Sequence, residues 1–277
     1  MIIKNKFKFI YLEITNYCNM DCPFCVSSKV TNRRFLDLDK INRYLTMIKE
    51  VTNTVYLHVL GEPLLHPNFN EIIELCNQHD LMVRLTTNGT LINKYDFNKL
   101  NIKKISFSLQ SLIQYSDDLI NEYFNNLEIF LNSIKHKLEN GEMGIDFRLW
   151  NDKKNENINF FNQKISKILV EKLNINHLPN VHLSEADEFE WPNKESDDNL
   201  NKTFCLGGKT QLAVLSSGDV VLCCLDYSAQ TKLGNLNENT LKEILLGNDY
   251  QNAMKAFQAG NSYFELCKKC KFRNRFN

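Results

Sequence analysis

Three cysteines, Cys18, Cys22 and Cys25, crowd into the segment CNMDCPFC. A structural zinc ion takes four protein ligands. This segment offers three, and the next thiol, Cys76, falls on an apolar helical face. Three thiolates from one loop suit an iron–sulfur cluster with one iron left open to a small molecule. A fully ligated cluster passes electrons but binds nothing at iron, so the missing fourth thiol carries chemical meaning. A second set, Cys205, Cys223, Cys224, Cys267 and Cys270, lies near the C-terminus. Four of these, Cys205, Cys223, Cys267 and Cys270, could close around zinc or ligate a second cluster completely.

The elements around these thiols follow from periodicity. Six runs rich in Val, Ile, Phe and Leu, at 7–14, 54–60, 82–87, 104–109, 145–150 and 180–185, read as strands. Helical stripes lie between them. Leu38, Ile41, Leu45 and Ile48 share one face, as do Phe69, Ile72, Ile73 and Cys76, and longer stripes run over 119–134 and 158–169. Alternating strands and helices predict an α/β fold with a parallel sheet, curled by right-handed crossovers toward a partial barrel. Active sites of such barrels sit at the C-terminal strand ends. Cys18 follows the first strand and meets that condition. Residues 186–204 are polar and acidic and read as a linker or a loop covering the site. From 205 to 277 a hairpin signal, SSGD between QLAVL and VVLCC, precedes two short helical stretches and the terminal CKKC. This small α+β module has few apolar residues and needs a metal or disulfide staple.

Composition narrows the function classes. The chain has 277 residues, 43% hydrophobic, with 33 basic and 33 acidic side chains. Balanced charge gives no reason to expect nucleic acid or an acidic membrane as the main partner. No apolar run is long enough to span a bilayer. The first apolar run carries Glu13 and leads straight into the cysteines without a cleavage site, so it reads as a strand of a cytoplasmic protein. Nine cysteines in a reducing compartment point to metal or redox work.

The motifs together resemble the radical S-adenosylmethionine (SAM) superfamily. CX3CX2C follows the first strand, with Phe24 just before the third cysteine. LGEP at 60–63 is similar to the family's GGEP segment, with Leu60 at the first glycine. TTNG at 86–89, SFSLQS at 106–111 and FRLW at 147–150 end the next strands, where the family places cofactor contacts. The resemblance implies a partial (β/α)6 TIM-like barrel over 1–185. It implies a [4Fe–4S] cluster on Cys18, Cys22 and Cys25 with SAM at the open iron. It implies SAM contacts from Phe24, Gly61, Glu62, Asn88, Ser108, Gln110 and Arg148. The later pattern, one Cys, GX4C, then a late CX2C, resembles the Twitch module, a shortened SPASM domain. That resemblance implies an auxiliary [4Fe–4S] cluster on Cys205, Cys223, Cys267 and Cys270 within 205–277. Adjacent strand residues face opposite ways, which leaves Cys224 as a small core residue. Cys76, His58 and His66 read as structural, although His58 could face the barrel interior.

The implied activity is hydrogen abstraction by a 5′-deoxyadenosyl radical from a small polar molecule, with oxidation or epimerisation of a sugar or aminocyclitol. An external electron donor such as flavodoxin or ferredoxin would feed it. The short layout is most similar to the butirosin-pathway type of aminocyclitol dehydrogenase. Residues 181–204 hold no arginine to act as base, and Lys194, Glu185, Asp187 and Glu188 are the groups available. One alternative is a peptide maturase that forms a crosslink or epimerises a residue. Several of those carry an N-terminal peptide-binding domain of the winged-helix type, for which the sequence leaves no room ahead of Cys18. Another is a non-catalytic metal-binding scaffold, which would need neither GEP nor TTNG.

Overall fold

A computed structural model describes residues 6–152, 155–192 and 204–276. Residues 193–203 of the 186–204 segment, with Lys194, lie outside the described residues. Strands β1 (Phe9–Leu12), β2 (Thr54–Tyr56), β3 (Met82–Thr87), β4 (Ile102–Ser108), β5 (Gly144–Asn151) and β6 (Val181–Asp187) pair parallel in chain order. Their crossovers include α1 (Leu38–Lys49), α2 (Phe69–Gln78), α3 (Asp117–Ser133), α4 (Lys135–Glu139) and α5 (Glu156–Glu171). Only a short 3-10 turn, Ile92–Lys94, appears between β3 and β4, where a full (β/α)6 repeat would carry a helix.

The helices form for visible reasons. Asp37 caps α1 by accepting from Lys40 N at 2.9 Å, and Ile41, Tyr44, Leu45 and Ile48 are buried on one face. Asn155 caps α5 through Asn157 N at 3.1 Å. Strand alternation divides the sheet. Ile105, Phe107, Ile145, Phe147 and Leu149 are buried in the main core. Their even-numbered neighbours Ser108, Arg148 and Trp150 line a cavity. Cys76 is fully buried in that core, and His66 is held by Leu36 O at 2.9 Å, both as the spacing implied.

The C-terminal residues do not form a separate sheet. β7 (Gln211–Val214) pairs parallel with β1, from Phe9↔Gln211 to Leu12↔Val214. β8 (Asp219–Val221) and β9 (Lys232–Asn235) continue antiparallel, giving the order β6-β5-β4-β3-β2-β1-β7-β8-β9. The expected hairpin is β7–β8, and β9 is an added strand. Helices α6 (Leu241–Leu246), α7 (Asn248–Gln258) and α8 (Glu265–Lys268) complete the chain. α6 opens with a capping box between Thr240 and Glu243.

Candidate active site

The cysteine loop leaves the C-terminal end of β1 and turns tightly, with Cys25 N donating to Cys22 O at 2.9 Å. Glu62 N donates to Tyr17 O at 2.7 Å, which ties the GEP segment to that loop. Gly61 makes the approach possible. Its φ is +77°, and a Cβ there would lie 2.5 Å from the Thr15 carbonyl oxygen. The buried Glu62 carboxylate accepts from Leu64 N at 3.0 Å, Thr87 Oγ1 at 2.8 Å and Asn88 N at 2.8 Å. Burial pushes its pKa up to about 7 against these donors. Such a carboxylate is poised to receive a cation.

All the expected site residues except Cys267 line one cavity of about 510 Å³. The Cys18, Cys22 and Cys25 thiols face it at the β1 end. Burial, then the charges of its neighbours, pushes Cys22 up to about 12 and raises Cys18 as well. Phe24 packs edge-on against Trp150, with ring centroids 4.8 Å apart. Asn88 turns toward the cysteine loop, its Nδ2 lying 3.9 Å from Cys18 Sγ and donating to Asn19 at 3.0 Å. Gln110 Oε1 accepts from Trp150 N at 2.7 Å, which fixes the amide so that Nε2 is buried without a partner. His58 Nδ1 and Thr86 Oγ1, on the same wall, are buried without partners too. Native interiors leave few such orphans, so these atoms fit a bound polar ligand. Arg148 donates from Nε to Asp146 at 3.1 Å. Its charge is felt at Tyr11, His58 and Cys224. Burial and that charge hold His58 down to about 3, so it is neutral.

The second thiol set converges from the other side. Cys223 interacts electrostatically with Cys205 and Cys267, and Cys270 with Cys205. Burial raises Cys223, Cys267 and Cys270 first, and mutual repulsion of their charged forms adds to it. A cationic metal core relieves that repulsion, so the donor sets fit clusters. Asp226 shapes the loop after Cys223, accepting from Thr231 N and Oγ1 at 2.5 and 2.7 Å. Among the described residues, no His, Cys, Asp and Glu side chains form a constellation for a single metal ion.

Several participants escaped the sequence. Arg273, 1% exposed, donates to Cys267 O at 2.8 Å and lowers the thiols of Cys267 and Cys270 against their burial. Its signal was only a basic residue after CX2C. Phe189 and Trp191, inside the acidic EFEWP run, line the cavity, and Trp191 Nε1 donates to Phe24 O at 3.0 Å. Glu13 accepts from Leu60 N at 3.1 Å and from Ser216 N and Oγ at 3.0 and 2.7 Å, joining the GEP segment to the β7–β8 turn. Cys224 packs on the small apolar cluster of Val59, Ala213, Leu215 and Val221, and it also lines the cavity together with Cys223.

Two thiol sets facing one cavity at the strand ends of an open parallel sheet fit a protein that holds two iron–sulfur clusters. The comparisons give the family. The Radical SAM superfamily model matches residues 12–141, and a model described as an iron–sulfur cluster-binding domain, SPASM, matches residues 205–271. The chain belongs to the radical SAM superfamily and carries a C-terminal SPASM/Twitch module. It is a radical SAM enzyme that binds SAM, a [4Fe–4S] cluster and an auxiliary iron–sulfur cluster.

Uncharacterized protein MJ0907 of Methanocaldococcus jannaschii is 22% identical over 83% of this chain and 89% of its own length. MJ0804 of the same organism is 32% identical over 45% of this chain and 41% of its own. BtrN in complex with AdoMet and 2-DOIA shares the fold at TM-score 0.55 and 16% identity, covering 97% of this chain and 94% of BtrN. Native anSMEcpe with bound AdoMet gives 0.62 at 17% identity, covering 95% and 86%. Streptococcus suis SuiB bound to precursor peptide SuiA gives 0.56 at 15%, covering 96% and 71%. Among the described residues, no helix is long and apolar enough to cross a membrane.

Proposed function

We propose that the protein is an oxidoreductase or epimerase acting on a small polar molecule such as a sugar or aminocyclitol. The observation that carries this reading is the single cavity of about 510 Å³ shared by both thiol sets. Such a volume suits a small ligand beside SAM. Cys18, Cys22 and Cys25 would hold the first cluster, and Cys205, Cys223, Cys267 and Cys270 the auxiliary one. Bound SAM supplies a 5′-deoxyadenosyl radical. The chain's task is to hold the target carbon near it and keep water away. Glu62 would receive the SAM amine, and Gly61, Phe24, Asn88, Ser108 and Gln110 would line its bed. Arg148 lines the same cavity and would contact SAM. The aromatic wall of Phe24, Trp150, Phe189 and Trp191 shields the cavity.

A peptide maturase is the second reading. It is favoured by the shared fold of SuiB bound to precursor peptide and anSMEcpe with bound Cp18Cys peptide. The test is anaerobic turnover with SAM and a low-potential donor such as flavodoxin against panels of aminocyclitols, sugars and peptides. Small polyols should speed 5′-deoxyadenosine release. A product two hydrogens lighter marks dehydrogenation, and an unchanged mass with altered stereochemistry marks epimerisation. Stimulation by peptides alone refutes the first reading.

A further inference from the structure

Tyr17 and Phe35 are 36% and 42% exposed, and their rings stack with centroids 4.7 Å apart and planes 21° apart. The pair is held in place by the backbone. Phe35 bridges antiparallel to Thr15, and Arg34 N donates to Asn16 Oδ1 at 2.7 Å. Thr15 Oγ1 donates to Arg34 O at 3.0 Å and Asn16 Nδ2 to Asn32 O at 3.1 Å. These bonds fix residues 32–35 against the segment that runs straight into Cys18. Phe35 also lies edge-on to His66, with centroids 5.4 Å apart.

Charge is the second observation. From Cys22 to Leu36 the chain holds Lys29, Arg33 and Arg34 and no acidic residue, in a protein with a net charge of zero. Among the described residues, Lys29 and Arg33 form no ion pair. Arg33 donates to Ser27 O at 3.2 Å, which draws the loop together. Asp21 and Asp37 bracket the run, and Asp37 is paired with Lys40 at 3.0 Å. Cys18, Cys22 and Cys25 line the cavity, whereas Tyr17, Lys29, Arg33 and Phe35 lie outside its wall. The cysteine loop therefore has an inner face on the cavity and an outer face that is basic and aromatic. Aromatic residues and arginine are enriched where proteins meet.

We infer, on the reading above that an outside donor feeds the first cluster, that this outer face receives a small acidic flavin-carrying protein. The basic loop steers an acidic carrier toward Cys18, and the stacked rings offer a flat apolar face to the edge of a flavin. A carrier whose centre is wrapped in loop backbone gains nothing from that ring face. In the step, an anionic flavin hydroquinone gives up one electron and becomes the neutral semiquinone. The cluster on Cys18, Cys22 and Cys25 takes that electron, and no bond or proton crosses the face. Entry from outside leaves SAM and substrate undisturbed in the cavity.

The test needs no identified substrate. Reconstituted holoenzyme with SAM is driven by photoreduced flavodoxin or by reduced methyl viologen, a small cation that needs no docking, and 5′-deoxyadenosine is measured. Lys29→Glu and Phe35→Ser should each slow the flavodoxin-driven release by about 3- to 10-fold at low salt. Iron content and viologen-driven release should stay unchanged. Raising ionic strength from about 0.01 to about 0.15 M should slow wild type in the flavodoxin arm alone. Thermophoresis with oxidised flavodoxin should show weaker binding to both variants. Should Phe35→Ser lose iron, Lys29→Glu decides alone. Equal slowing in both arms, no slowing in either, or a loss confined to a parallel arm with reduced ferredoxin overturns the assignment. So does a dimer that the variants dissociate while flavodoxin binding is unchanged, which makes the face a contact between two copies. Wild-type protein that gives no 5′-deoxyadenosine with viologen overturns the radical reading itself, a result distinct from the others.

Discussion

Gly61→Ala tests whether the close approach of the GEP segment to the cysteine loop is needed. At φ +77° an L residue costs about 1–2 kcal/mol. The new Cβ would meet the Thr15 and Tyr17 carbonyl oxygens at 2.5 and 2.7 Å and Asn16 Cα at 2.9 Å. All three are backbone atoms, so no rotamer change relieves the contact. The segment must move away, which stretches the 2.7 Å bond from Glu62 N to Tyr17 O. That bond is worth about 0.5–1.5 kcal/mol. The sum is roughly 1.5–3.5 kcal/mol. If the loop yields, Glu62 leaves its place and SAM affinity falls by about 10- to 400-fold. If the loop holds, the strain lowers Tm by roughly 5–10 °C. Equilibrium dialysis of SAM on reconstituted protein and a thermal scan measure both. A variant with wild-type affinity and wild-type Tm refutes the reasoning.

Burial raises the Glu13 carboxyl pKa, against bonds from Ser216 and Leu60. The folded state therefore keeps a proton that the unfolded chain loses above about pH 4.3. Its contribution to stability is full below that pH and is lost as pH rises through the raised folded value. Urea midpoints should fall with pH over that window in wild type, and Glu13→Gln should make the slope shallower, the raised Glu62 carboxyl supplying the remainder. Arg273→Met removes a buried charge-assisted bond to Cys267 O and should cost about 1.5–3 kcal/mol, with iron lost from the second set while SAM cleavage persists. Cys223→Ala should drop the iron content from about eight to about four per chain and leave 5′-deoxyadenosine formation intact.

The period-2 and 3.6 patterns placed the six parallel strands because each has one face under helices. β3 was bounded correctly at 82–87, and β2 ended early because 57–60 leaves the sheet to reach Glu13. The thiol spacings and GEP identified the cavity wall because they are local in sequence. What stayed hidden is nonlocal. Nothing in QLAV says that its partner is Phe9–Leu12, and a polar 186–192 run does not announce that Phe189 and Trp191 face inward. Glu13 was legible only as a charge in an apolar strand, since its donors come from residues 60 and 216. Strand alternation was a poor guide to Cys224, because β8 ends at Val221 and both Cys223 and Cys224 reach the cavity.

The β1–β7 pairing also sets a schedule for biosynthesis. Phe9 emerges well before its partner Gln211 and waits for it. At about 5–20 residues per second, that wait is on the order of ten to forty seconds. Throughout it, FIYL presents an uncovered apolar edge, a template for pairing with other nascent chains. The first three thiols leave the ribosome long before Cys267 and Cys270. Slower translation would lengthen the dangerous interval, so yield of intact protein should depend on the rate at which residues 13–210 are made.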